Sequence, residues 1–333
     1  MKDKIILYLS EKKLMERIDQ QNKNLVFKGN GAELFQLLFV NILLLLVTLG
    51  FYYPWAKVRK LRYLYNQTEL DNKAFTFHGT GKEIFWGFIK SLLLLAVVYG
   101  IFFAGVLTRN PFIALLAPLF LIFVFLFIMP LAIHGSLKYR LSRSSWSGIH
   151  FGYRGERGIL MKKFIGGILL TFITLYIYLA WFIVDLRKYI ISNIRFGNVQ
   201  FRFDGTGGAL FLLNLKGIFL SLITFGIYGF WWMRNTVRFY INNLVIVQNE
   251  KEHRIHFTGS AGDVAKLVIV NFLLMIITLG LAFPWVLIRN LQFIYTNSQI
   301  DGTFETQNIL QTEDEYKDAL GEDMTDIFDI NII

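Results

Sequence analysis

The chain has 333 residues, 54% of them hydrophobic and only 17% charged, against about 25% charged in a soluble domain. It contains no cysteine, which excludes a disulfide, a thiolate metal site and a cysteine nucleophile. The formal net charge is +10, and since eight of the 24 acids fall between Glu313 and Asp329, the remainder is more basic than that figure. Several apolar runs pass the length of roughly 18 residues that marks a membrane helix, and Phe112 to Ile133 carries no charge at all, so an integral membrane protein is expected.

Residues 1–24 are polar and charged, which argues against a secretory signal. Ile6, Leu7, Leu14, Met15 and Ile18 set against Lys12, Lys13, Glu16 and Arg17 pattern weakly as an amphipathic or solvated helix. From residue 25 a pattern recurs. Each copy opens with a short alternating strand ending in glycines, as in Phe27-Lys28-Gly29-Asn30-Gly31, Phe77-His78-Gly79-Thr80-Gly81, Phe203-Asp204-Gly205-Thr206-Gly207 and Phe257-Thr258-Gly259-Ser260-Ala261. Phe151-Gly152-Tyr153-Arg154-Gly155 is a degenerate copy. The glycines suit a sharp turn from strand into helix, and Glu33, Glu83, Glu156 or Asp263 then favours the helix N-terminus.

Apolar helices are expected near 34–54, 84–107, 165–184, 209–232 and 264–285, with an extra one near 112–134. A Thr-Leu-Gly step recurs inside them, as Thr48 with Gly50, Thr224 with Gly226 and Thr278 with Gly280; Thr174 precedes a worn copy in which Tyr176 stands for the glycine. Trp55, Trp181, Trp231 and Trp285 each lie seven positions past their Thr, with Pro54 and Pro284 beside two of them. The glycines are expected to let helices bend or pack closely, the prolines to relax the hydrogen-bond ladder, and the tryptophans to form an interfacial belt. Basic-aromatic pairs such as Arg62-Tyr63 and Lys188-Tyr189 follow, then hairpin turns at Asp71-Asn72, Gly197-Asn198 and Asp301-Gly302.

Thr48-Leu49-Gly50-Phe51-Tyr52-Tyr53-Pro54-Trp55-Ala56-Lys57-Val58-Arg59, with Arg62-Tyr63, Asn66 and the strand-glycine motifs, resembles the YjgN-type family of multipass bacterial inner-membrane proteins, a domain of unknown function. The resemblance covers roughly 25–305 and implies an inner-membrane, multi-pass location. It supplies no catalytic residues.

Other motifs read blandly. Gly79-Thr80-Gly81-Lys82 has the wrong spacing for a phosphate loop, and Glu83 stands where Ser or Thr would follow the lysine. His253 and His256 flank a strand start, not a helix, with no third ligand near in sequence. Lys90 and Lys216 fall in the early turns of apolar helices, where long stems snorkel to headgroups or serve a polar path. Asn41 and Asn271, seven before Thr48 and Thr278, suit hydrogen bonding between helices.

The expected architecture is mainly α: a polytopic helical membrane protein with about six transmembrane helices in internal repeats and short extramembrane β-hairpins. Its parts are an amphipathic segment (1–24), a membrane domain (25–305) and an acidic, disordered tail (306–333). The competing topology follows from the positive-inside rule: basic loops everywhere but at Arg109 leave one crossing hairpin at 84–134, re-entrant Thr-containing segments, and all β-hairpins on one side. The expected function is non-enzymatic transport or channel activity; the alternative is an envelope scaffold or a lipid- or partner-binding protein. The bilayer and its anionic headgroups are the expected partners, with no cofactor, metal or nucleic acid.

Overall fold

The computed structural model describes residues 25–312 except Arg109, Gly302 and Thr303, so the N-terminal segment 1–24 and the acidic stretch 313–333 lie outside the described residues. Five units follow one another, each of strand, helix, helix and strand. The first is β1 (Leu25–Phe27), α1 (Gly31–Val47), α2 (Tyr53–Asn66) and β2 (Thr68–Leu70). The second is β3 (Lys73–Phe77), α3 (Gly81–Leu107), α4 (Pro111–Ser142) and β4 (Ser144–Trp146). The third is β5 (Ile149–Tyr153), α5 (Arg157–Ile173), α6 (Leu179–Ser192) and β6 (Ile194–Phe196). The fourth is β7 (Val199–Phe203), α7 (Gly207–Ile223), α8 (Gly229–Asn242) and β8 (Leu244–Gln248). The fifth is β9 (Lys251–Phe257), α9 (Ala261–Ile277), α10 (Phe283–Thr296) and β10 (Ser298–Ile300).

The ten strands pair in sequence order as one antiparallel sheet, curled into a nearly closed barrel. Asp71-Asn72, Ser147-Gly148 and Asn249-Glu250 take positive φ at both central residues, the geometry that matches the strand twist. Alternate residues point inward. Phe75, Phe151, Phe201, Ile255 and Ile300 surround a core of Leu70, Trp146, Phe196, Val199 and Ile246, and Phe151 stacks on Phe196 at 4.3 Å. The polar partners of this alternation face outward, among them His78, Arg202, Asp204 and His256.

The six single crossings are not what the chain forms. Among the described residues, only α3 and the Leu116–Ser142 part of α4 are long and apolar enough to cross a membrane. The other four apolar runs break just after Thr48, Thr174, Thr224 and Thr278 and fold back. Asn41 in α1 bonds Ala56 O in α2, and Asn271 in α9 bonds Asn290 in α10, contacts that place the two helices of a pair side by side and antiparallel. The helices of each unit therefore stand on one side of the barrel. Each packs on the next in chain order and α10 packs on α1, which closes a ring.

Continuous apolar runs gave no sign of the reversal because the turn itself is apolar. At the end of α1, Gly50 N–H bonds Leu45 O and Leu49 N–H bonds Leu46 O, a Schellman arrangement. The left-handed residue at its centre is Leu49, at φ +49°, where a glycine is usual; Gly50 follows at φ +90°. Leu175, Phe225 and Leu279 hold the same place in their units. Nothing lies within 4 Å of where a Gly50 or Gly226 Cβ would stand, so these glycines serve backbone conformation and not close helix packing. Nor does Pro54 loosen a continuing helix: it sits buried in the first turn of α2, and Pro284 does the same in α10.

Packed structure also runs past 306. Phe304 and Ile309 join the barrel core, and the segment is tied across the hairpin turns by Thr306 Oγ1 to Asp71 (2.7 Å), Gln248 to Glu305 O (3.0 Å), Leu310 N–H to Asn198 (3.0 Å) and Thr312 Oγ1 to Gly197 O (2.6 Å). It covers the barrel end remote from the helices.

Candidate functional site

Three recurring devices set the geometry. The first is the tip of each short hairpin. Thr48 Oγ1 donates to Leu44 O (2.7 Å) and accepts from Tyr52 N–H (3.0 Å), stapling the end of α1 to the start of α2. Thr174, Thr224 and Thr278 do the same with Tyr178, Tyr228 and Ala282. With this staple, every N–H from Thr48 to Tyr53 has an acceptor inside its own tip. The residue at the apex is apolar and almost bare: Leu49, Leu175, Phe225 and Leu279 are 88%, 84%, 98% and 93% exposed.

The second device joins units. Trp55 lies on Gly81 of the next unit, Trp181 on Gly207 and Trp285 on Gly31, so the contact that links neighbours also closes the ring. A Cβ on Gly31 would stand 2.3 Å from the Trp285 ring. The same three tryptophans pack on Phe85, Phe211 and Phe35, with ring centroids 5.2–5.3 Å apart. They are joints between units in addition to any contact with lipid. Arg62 donates to Gly79 O across one joint and Gln292 to Gly29 O across the closing one.

The third device is buried polarity within a pair. Asn41 accepts from Arg59 (3.4 Å), and Asn271 accepts from Arg289 (3.0 Å). At the equivalent place Gly167 receives the ring of Phe182 and Gly217 that of Trp232. Asn41 and Asn271 thus hold helices together, and they do not converge on one cavity. Lys90 and Lys216 are exposed among outward apolar residues such as Leu212, Leu215 and Phe219, as snorkelling side chains would be.

The cavity lies elsewhere. A chamber of about 490 Å³ occupies the barrel beneath the ring, lined by Leu25, Phe75, Phe151, Phe201, Ile246 and Ile255 among others, with Phe304 beneath. That volume falls in the range of roughly 300–1,000 Å³ typical of ligand sites. Arg140, near the end of α4, is the one charged residue in its lining. Lys60 stands one helical turn before Leu64, which also lines the chamber; burial, and then the Arg140 charge, hold its ammonium below the ordinary lysine value. Among the described residues no acceptor bonds either side chain. Two other cations of the ring have partners: Arg59 bonds Asn41 and Tyr52, and Arg187 lies over the face of Tyr240 at 4.2 Å. Neither Arg140 nor Lys60 stands out in the sequence, because nothing there shows that the strands close around a space.

A family model described as bacterial protein of unknown function (DUF898) matches residues 22–216 and 241–327. The chain belongs to this family. Among its relatives, the inner membrane protein YjgN of Salmonella typhimurium is 45% identical over 53 residues, 16% of this chain and 13% of that protein. The inner membrane protein YjgN of Escherichia coli K12 is 38% identical over 58 residues, 17% of this chain and 15% of its own. These alignments span only a small part of each relative. No solved structure matches this DUF898 chain.

Proposed function

We propose that the chain is a non-enzymatic inner-membrane protein of transport type, built from repeated hairpins, that takes an apolar molecule from the bilayer into its barrel. The α3–α4 hairpin crosses the membrane; the four short hairpins enter from the cytoplasmic face, and barrel and basic residues stay on that face. The lengths support this. The 27 residues of α3 reach about 40 Å, enough for a hydrocarbon core of about 30 Å, whereas the 17 of α1 reach about 25 Å. Bare apolar tips with internally satisfied N–H groups suit hydrocarbon, which supplies no hydrogen bonds.

The observation that carries the functional reading is the chamber itself, apolar on nearly all sides and floored by 304–312. This lining favours an apolar cargo over an ion, and the covered far end favours holding a molecule over conducting one. The competing reading, a scaffold with a dry barrel, is separated by extraction. Protein taken up in polymer discs with its own lipid is stripped of the disc and analysed for tightly held molecules. One apolar molecule per chain is expected, and its loss from Ile255→Trp, which fills the chamber, at unchanged helix content. If wild type and variant retain the same lipids in the same amounts, the scaffold reading stands instead.

A further inference from the structure

We infer that the chamber binds a single-chain anionic amphiphile of the long-chain carboxylate class, its tail within the barrel and its acidic head between Arg140 and Lys60. This rests on the chamber reading above and specifies its ligand. The lining divides by chemistry. Phe151, Phe196, Phe201, Ile246 and Ile255 present carbon, with no charged partner among them. Arg140 opens onto the same space from α4, and Lys60, outside the lining itself, sits on α2 next to Leu61 and one turn before Leu64, both of which line the chamber. Two half-buried cations near each other repel and pay desolvation, whereas elsewhere in the ring Arg289 has an acceptor in Asn271 and Arg187 an aromatic face in Tyr240. An anion between these two removes the repulsion and provides the missing acceptor. A guanidinium recognises a carboxylate through paired N–H donors. Ser144, whose Oγ donates to Arg140 O, stands beside it in the lining, and Tyr65, Thr68 and Tyr295 are the other polar side chains there; the remaining lining is carbon. At about 490 Å³ the chamber suits one acyl chain and is small for the two tails of a phospholipid.

The experiment uses the full chain purified in a neutral detergent and a palmitate carrying a photoreactive diazirine near its methyl end. After illumination, labelled peptides are mapped, and competition is run with palmitate, with hexadecanol, which has the same chain and no charge, and with phosphatidylglycerol. The inference expects label on strand residues such as Phe201 or Ile246, with palmitate competing at least tenfold better than hexadecanol. Arg140→Gln and Lys60→Gln should each erase most of that difference while leaving hexadecanol competition as it was. Ile255→Trp should abolish labelling by both chains. If hexadecanol competes as well as palmitate in the wild type, the anionic ligand is refuted while the apolar chamber stands. If phosphatidylglycerol competes best, a two-chain lipid occupies the site and the single-chain assignment is wrong. If label falls only on outward residues such as Leu212 or Phe219, both the ligand and the chamber reading fall.

Discussion

Thr278 shows how much one hydroxyl does at a hairpin tip. Its Oγ1 donates to Leu274 O at 2.6 Å and accepts from Ala282 N–H at 2.9 Å. Valine keeps the shape and leaves that N–H without an acceptor, which costs about 1–3 kcal/mol where no water can replace it. Thr278→Val should therefore lower the melting temperature in detergent and Thr278→Ser should restore it; equal melting temperatures for Val and Ser would show that the staple is not holding the turn. Gly50 makes a different demand. It stands at φ +90° in open space, so Gly50→Ala meets no neighbour and tests conformation alone. A loss of about 1 kcal/mol is expected from the left-handed strain. Leu44→Ile, at a half-buried position of α1, should lose less in a parallel thermal denaturation. Tyr176 fills the equivalent place at φ +69°, so the fold bears a side chain there at a cost.

Among the elements, the joint between the last and first units matters most, because it turns an open row of hairpins into a ring. Trp285 lies against Gly31 and Phe35, and Gln292 bonds Gly29 O at 3.1 Å. Trp285→Ala leaves a gap at the joint and Gly31→Val drives a side chain into the indole, so each should destabilise by about 2–4 kcal/mol. The two act on one contact, and the double variant should cost less than the sum. Strict additivity in chemical unfolding would mean that the joint is not closed as described. This level of structure was only partly legible. Strand-glycine motifs mark where four of the five first helices start, because Asn30, Thr80, Thr206 and Ser260 cap them with their side chains; Glu156 makes no such bond in the third unit. The reversals were hidden, since Leu49, Leu175, Phe225 and Leu279 stand where a polar or glycine turn would have announced a helix end. Residues 306–312 read as the start of a disordered tail because only Ile309 and Leu310 break a polar stretch, and nothing local shows that Ile309 reaches the barrel core.

For the whole molecule, charge and topology agree. Among the described residues the basic loops lie on the barrel side of the helices and the α3–α4 turn on the other, which is the distribution the positive-inside rule demands of one crossing hairpin. Apolar length alone favoured six crossings. It could not weigh the sheet, where a hairpin marginal by itself gains stability by pairing with its neighbours in one ten-stranded sheet. The chamber was beyond reach of the sequence for the same reason, since it exists only once ten strands curl together. The decisive measurement is side-specific labelling in intact cells and inverted vesicles. Single cysteines are placed on the exposed turn-proximal residues Lys73, Gln200 and Lys251, and at Phe112 in the long hairpin, in a chain with no native cysteine. A membrane-impermeant maleimide should reach the three barrel positions only from the cytoplasmic face and Phe112 only from the opposite one. Labelling of Gln200 from the face opposite to Lys73 and Lys251 would contradict the one-sided barrel and the chamber built upon it.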